Sequence, residues 1–128
     1  MWRLNVQKSK LGKAAKIEPE ILTIKQEAGN IEFHYDRDGK QSAETFVADK
    51  KDKVLREVLG GRILAKAYWK GATLTTETRA EVTISLQMGR YEFMKTKDAW
   101  TLSADGSLLT DKFTSEETQS LRVYERQK

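Results

Sequence analysis

The sequence predicts an all-β chain, an antiparallel up-and-down meander of about ten strands rolled into a barrel. Three observations predict it. Turn dipeptides recur at short intervals, at Gly29-Asn30, Asp38-Gly39, Gly60-Gly61, Lys70-Gly71, Met88-Gly89 and Asp105-Gly106, separated by runs rich in Val, Ile, Thr, Tyr and Phe. Within those runs apolar and polar residues alternate, as they do on a strand with one buried and one solvated face. The 128 residues are only 38% hydrophobic and 33% charged, the balance of a single layer wetted on its outer side.

Trp2, Leu4 and Val6 alternate and open the first strand. Lys8 to Pro19, which holds the only proline, reads as a long basic loop. Strands follow at Ile21 to Glu27, Ile31 to Asp36 and Glu44 to Ala48. Lys53 to Leu59 is ambiguous: Val54, Leu55, Val58 and Leu59 also fit helical spacing, so a short helix over 53–59 is an expectation here.

The alternation is clearest next. Ile63, Ala65, Ala67 and Trp69 share one face, and after the turn so do Leu74, Thr76, Thr78, Ala80, Val82, Ile84, Leu86 and Met88. Beyond Met88-Gly89, Tyr91 and Phe93 hold odd positions but Trp100 and Leu102 hold even ones. A slip of one residue exchanges the two faces of a strand, so a β-bulge is expected near Thr96 to Asp98. Leu108 to Phe113 and Leu121 to Arg126 form the last hairpin. Ten sequential strands with short turns pair in order and close on themselves, since closure removes exposed edges. A β-sandwich would need longer crossovers than the chain offers. The length fits a single domain over 1–128.

The net charge of +4 is spread along the chain, in clusters such as Lys8, Lys10, Lys13 and Lys16, or Lys50, Lys51 and Lys53. Lysines of this kind blunt sheet edges and solvate loops, so no nucleic-acid partner is expected. The absence of cysteine excludes disulfides and thiol chemistry. No apolar run approaches the roughly 18 residues of a membrane-spanning helix. Met1 is followed at once by strand-like sequence, so no signal peptide is expected in the sequence as it stands.

No catalytic or metal-binding constellation emerges, and neither a cofactor nor an enzymatic activity is expected. His34, the only histidine, shares its face with Glu32 and Asp36, opposite Ile31, Phe33 and Tyr35, so it is expected outward and wet. Asp36-Arg37-Asp38-Gly39 opens like a calcium loop, but Lys40 and Val47 stand where the fifth and twelfth ligands belong. A hairpin turn explains it better. Glu116 and Glu117 point to opposite faces if extended and cannot easily converge. The tryptophans Trp2, Trp69 and Trp100 are in phase with aliphatic neighbours and are assigned to the core. Tyr68 and Tyr124 are out of phase and are expected at the surface, beside Lys66, Lys70, Arg122 and Arg126.

Four segments, WRLNVQKSK at the start, AYWKGATL in the middle, then WTLSADGSLLT and LRVYERQ, recur in an order that resembles a family of small bacterial lipocalin-like (calycin-type) β-barrel proteins of uncharacterised function. The resemblance covers most of the chain and lies in strand and turn patterns. It implies a lipocalin-like barrel, an exported protein whose signal has been removed, and the calycin habit of holding a small apolar ligand inside. It implies no binding residues.

The leading functional expectation is therefore a non-enzymatic barrel that binds a small hydrophobic or amphipathic molecule. Inward parity makes Ile63, Ala67, Leu74, Thr76, Val82, Ile84, Leu86, Phe93, Trp100 and Leu102 cavity candidates, with the small residues Ala65 and Ala67 and the hydroxyls of Thr76 and Thr78 leaving room and some polarity. Tight packing at those positions without a cavity of about 300 Å³ would remove this reading. The alternative is an interaction module that uses its outer surface or a sheet edge, toward a protein, an envelope polymer or a second copy. An enzyme ranks last because the inward parity reads as almost wholly apolar.

Overall fold

The computed structural model describes residues 1–11, 19–58, 60–85, 89–116 and 118–127, with backbone only at 83–85 and 89–91. Ten strands form one antiparallel sheet: β1 (Trp2–Leu4), β2 (Glu20–Glu27), β3 (Asn30–Arg37), β4 (Lys40–Val47), β5 (Lys53–Val58), β6 (Gly61–Lys70), β7 (Thr73–Ser85), β8 (Gly89–Leu102), β9 (Leu108–Ser115) and β10 (Gln119–Arg126). Their order is β4-β3-β2-β1-β10-β9-β8-β7-β6-β5. The meander is thus sequential, and β1 closes it by pairing with β10 (Trp2 opposite Arg126, Leu4 opposite Tyr124) as well as with β2. Lys10 extends that closure, exchanging two 2.7 Å backbone hydrogen bonds with Leu121. The predicted fold class holds.

The turns follow from local chemistry. At Asp38-Gly39 both residues have positive φ (53° and 85°), the twist a two-residue hairpin requires, and the Gly39 N–H donates to Asp36 Oδ1 at 2.9 Å. This is the hairpin expected in place of a calcium loop. The preceding turn sits at Ala28-Gly29, one residue earlier than the Gly29-Asn30 expectation. Gly61 is required by contact: a Cβ there would lie 2.2 Å from the Glu81 carbonyl oxygen across the β6–β7 ladder.

Two expectations for the middle of the chain meet different ends. The bulge is real but lies slightly earlier, at Met94-Lys95. Thr78 pairs with Thr96 and Ala80 with Phe93, so two residues of β8 face the single Arg79, and Met94 takes φ 54°. The parity of β8 reverses there as required. The turn expected at Met88-Gly89 involves residues outside the described ones; Ser85 pairs with Gly89. The helix expected over 53–59 is corrected to strand β5, and no helix occurs among the described residues. A bulge explains the misleading spacing: Val54 opposes Leu64 and Arg56 opposes Ile63, leaving Leu55 as the extra residue. Leu55 packs on the core while Val54 and Val58 stay exposed on the edge strand.

The barrel is nearly closed. β4 and β5 stand at the two ends of the strand order and share no ladder. The connection between them is held elsewhere, by the Lys50 N–H donating to the Ala67 carbonyl at 2.9 Å and by a two-pronged Arg79–Asp52 ion pair on the outer face.

Candidate functional site: the barrel interior

Register fixes which residues face inward: the even positions of β2, the odd positions of β3, and then one parity per strand around the barrel. One half of this interior is packed. Phe33 and Trp100 approach to 4.9 Å between ring centres, Phe33 and Phe46 meet edge-on at 5.6 Å, and Leu22, Ile31 and Leu109 fill around them. At the open end of this half lies an apolar cavity of about 200 Å³, lined by Trp2, Ile31, Trp69, Leu74, Trp100 and Leu102 among others.

The other half is polar, which corrects the expectation of an almost wholly apolar inward parity. Glu20 is 4% exposed and accepts hydrogen bonds from Arg37 Nε at 2.5 Å and from the Tyr124 hydroxyl. Tyr124, expected at the surface, is wholly buried, its ring 6.1 Å from that of Trp100. The reason is pairing: Tyr124 lies opposite Leu4 on β1 and Leu109 on β9, both inward. Asp111, 2% exposed, and Asp98 hydrogen-bond through their carboxyls. Burial, then the charge of Asp98, pushes the Asp111 carboxyl up to about 10, so the pair holds a proton at neutral pH. Burial also raises Glu44, against the pull of Arg37. It raises the phenols of Tyr35 and Tyr124 well above their ordinary value, helped by the charges of Glu44 and Glu20 respectively. Burial would lower the Arg37 guanidinium, but the hydrogen bond and charge of Glu20 outweigh it.

Two further spaces border this polar half. A cleft of about 410 Å³ opens through the β4–β5 seam, walled by Glu44, Phe46, Leu55 and Arg56 and reaching Ala65 and Ala67. A second space of about 480 Å³, at the end of the barrel beside the β8 bulge, is lined by Phe93, Met94, Thr96 and Phe113 among others.

The sequence-derived candidates are distributed over these spaces. Leu74, Trp100 and Leu102 line the apolar cavity, Ala67 (with Ala65) the seam cleft, and Phe93 the end space. Thr76 is buried and inward; Ile63 and Val82 face inward and are partly buried. Leu86 lies outside the described residues, as does the side chain of Ile84. Leu102, expected inside, and Trp69, expected in the core, are half exposed because both sit at the barrel's rim. Trp2 and Trp100 are core residues as expected. His34 is outward and pairs with Glu32 at 3.1 Å. Glu20, Glu44, Asp98 and Asp111 were missed. Their signal was available in parity, since each is in phase with inward neighbours such as Leu22, Phe46, Trp100 and Leu109.

The sequence matches no protein-family model and no curated protein. Solved structures do resemble the fold. A point mutant of the fluorescent protein UnaG superposes with a TM-score of 0.70 at 11% identity, covering 99% of this chain and 94% of that one. A Schistosoma mansoni fatty acid binding protein in complex with arachidonic acid gives 0.69 at 12%, covering 99% and 93%. Apo Caenorhabditis elegans lipid binding protein 8 gives 0.69 at 14%, covering 98% and 92%. At these identities the likeness establishes the fold, a nearly closed antiparallel barrel of ten strands, and only that.

Proposed function

We propose that this chain is a non-enzymatic barrel protein that holds a small hydrophobic or amphipathic molecule, acting as one domain and belonging with the small bacterial lipocalin-like proteins its motifs resemble. The observation that carries the reading is the seam cleft of about 410 Å³, which passes between β4 and β5, strands that share no ladder with each other, and reaches Ala65 and Ala67. That volume lies in the range of small-molecule sites. The alanines keep it open where larger side chains would fill it. The cleft's Phe46 and Leu55 offer an apolar wall and its Glu44 and Arg56 a polar one, which suits a molecule with two chemistries. Two of the structural neighbours are themselves lipid-binding by name.

Native mass spectrometry of the purified chain tests the reading. The expected spectrum carries a small-molecule mass, or acquires one with dodecanol, and Ala67→Trp abolishes the adduct while the fold survives. A protein that takes up neither dodecanol nor any other alkyl amphiphile overturns it. A second reading, association through a sheet edge, is favoured by one observation: β5 is an edge strand with Val54 and Val58 both exposed. A dimer mass that disappears in Val54→Lys would support it.

A further inference from the structure

We propose that the polar half of the barrel receives a cationic head group, an alkylammonium or its like, against the Asp98–Asp111 carboxyl pair. The proposal rests on the ligand-binding reading above and names the chemical class of the ligand's polar end.

Asp111 provides the first observation. It faces inward opposite Trp100 at 2% exposure, and its Oδ1 has no hydrogen-bond partner among the described residues. A buried carboxylate oxygen without a donor is costly, and native folds rarely tolerate one. A donor arriving inside the barrel would satisfy it.

Charge provides the second. Among the described inward residues, Glu20, Glu44 and the Asp98–Asp111 pair, which holds one proton at neutral pH, stand against Arg37, Arg122 and, over the Trp2 ring, Arg126. Arg37 is bonded to Glu20, while Arg122 pairs in register with Asp111 and its charge acts on both aspartates. Arg56 acts on Glu44 from the seam. A carboxylate head would bring no donor to the orphaned oxygen and would meet the charge that the Asp98–Asp111 pair keeps after sharing one proton. An ammonium would bring three N–H donors to two carboxyl groups.

Access provides the third. Thr96 and Phe113 line the end space of about 480 Å³, and they are the inward neighbours of Asp98 along β8 and across to β9. Asp98 is partly exposed, and Asp111 is buried beyond it. A head group lowered from that mouth meets Asp98 first and then the orphaned oxygen.

Calorimetric titration of the full chain at neutral pH with dodecylamine, dodecanol and dodecanoate decides the matter. The expected result is that dodecylamine binds at least about tenfold more tightly than dodecanoate and more tightly than dodecanol. Asp98→Asn and Asp111→Asn should each remove that preference and leave dodecanol within about twofold. Asp98→Asn is the safer variant for folding, since Asp98 is the less buried of the pair. Dodecanoate binding as well as the amine overturns the proposal and leaves the ligand-binding reading intact, as does an amine preference that survives both substitutions. Failure of all three probes overturns both.

Discussion

The two halves of the barrel interior are built from the same alternation of strands and reach opposite chemistry. Around Phe33 the inward side chains are rings and aliphatics in van der Waals contact, and little space is left. Around Asp98 they are carboxyls, guanidiniums and phenols, and the spaces beside them are the larger ones. Tyr124 joins the halves, its ring against Trp100 and its hydroxyl on Glu20. The difference teaches that apolar packing and buried charge are separated along the barrel axis. The packed half supplies the burial that holds a thin, highly charged sheet together, and the polar half is free to carry unsatisfied groups.

The largest test of that division is Phe33→Ala. Phe33 is 1% exposed and touches three other aromatic rings, so truncation leaves a cavity among rigid neighbours. A loss of about 3–5 kcal/mol is expected from urea unfolding, a large share of the roughly 5–15 kcal/mol typical of a domain. A loss below about 1 kcal/mol would mean that the aromatic half does not dominate stability.

Parity revealed the packed half and concealed the polar one, for a physical reason. Trp2, Leu74 and Trp100 announce an inward face because apolar residues on an alternating strand have no better place to go. Asp98 and Asp111 occupy the same faces, yet a charged residue in phase with the core is read as an error in the phase unless its partner is known. That partner lies on another strand: Asp98 with Asp111, Glu20 with Arg37 and Tyr124. Such pairings need the register, which the local sequence does not contain. Lys53 to Leu59 was misleading for a related reason, because the bulge at Leu55 breaks the very alternation that marks a strand. The bulge in β8 was legible because long runs of clear parity lie on both of its sides.

The second test concerns pH. Asp111 titrates near 10 in the fold and near its ordinary value of about 4 when unfolded. Between those values the unfolded chain has released a proton that the folded chain keeps. The stabilisation is full below about pH 4 and is lost as pH rises toward 10, with a slope of at most about 1.4 kcal/mol per pH unit. Glu44, raised by burial, acts in the same direction, as do the raised phenols of Tyr35 and Tyr124 at alkaline pH. The lowered acids Asp49, Asp52, Asp105 and Glu125 have the opposite sign but act only in the acid range. Melting temperature should thus fall from pH 5 to pH 9. Asp111→Asn should flatten the curve and raise the melting temperature at pH 8 by roughly 3–6 °C. An unchanged slope in the variant would place the proton elsewhere and break the link between the polar half and stability.

The smallest effect is expected at the boundary that lets β8 serve both halves. Without the bulge at Met94-Lys95, Trp100 and Phe93 could not both face inward, and Asp98 would turn to solvent. Met94 is 65% exposed, so its side chain adds little packing, while its φ of 54° is a conformation that costs a side-chain-bearing residue about 1–2 kcal/mol. Glycine relieves that strain but enlarges the freedom of the unfolded chain, an opposing effect of about 0.5–1 kcal/mol. Met94→Gly should therefore be neutral to stabilising by up to about 1 kcal/mol in urea unfolding, whereas Met94→Ile should destabilise, because a β-branched residue suits positive φ least. If the glycine variant instead loses stability, the Met94 side chain holds the wall of the end space, and the boundary between the halves is set by packing more than by backbone geometry.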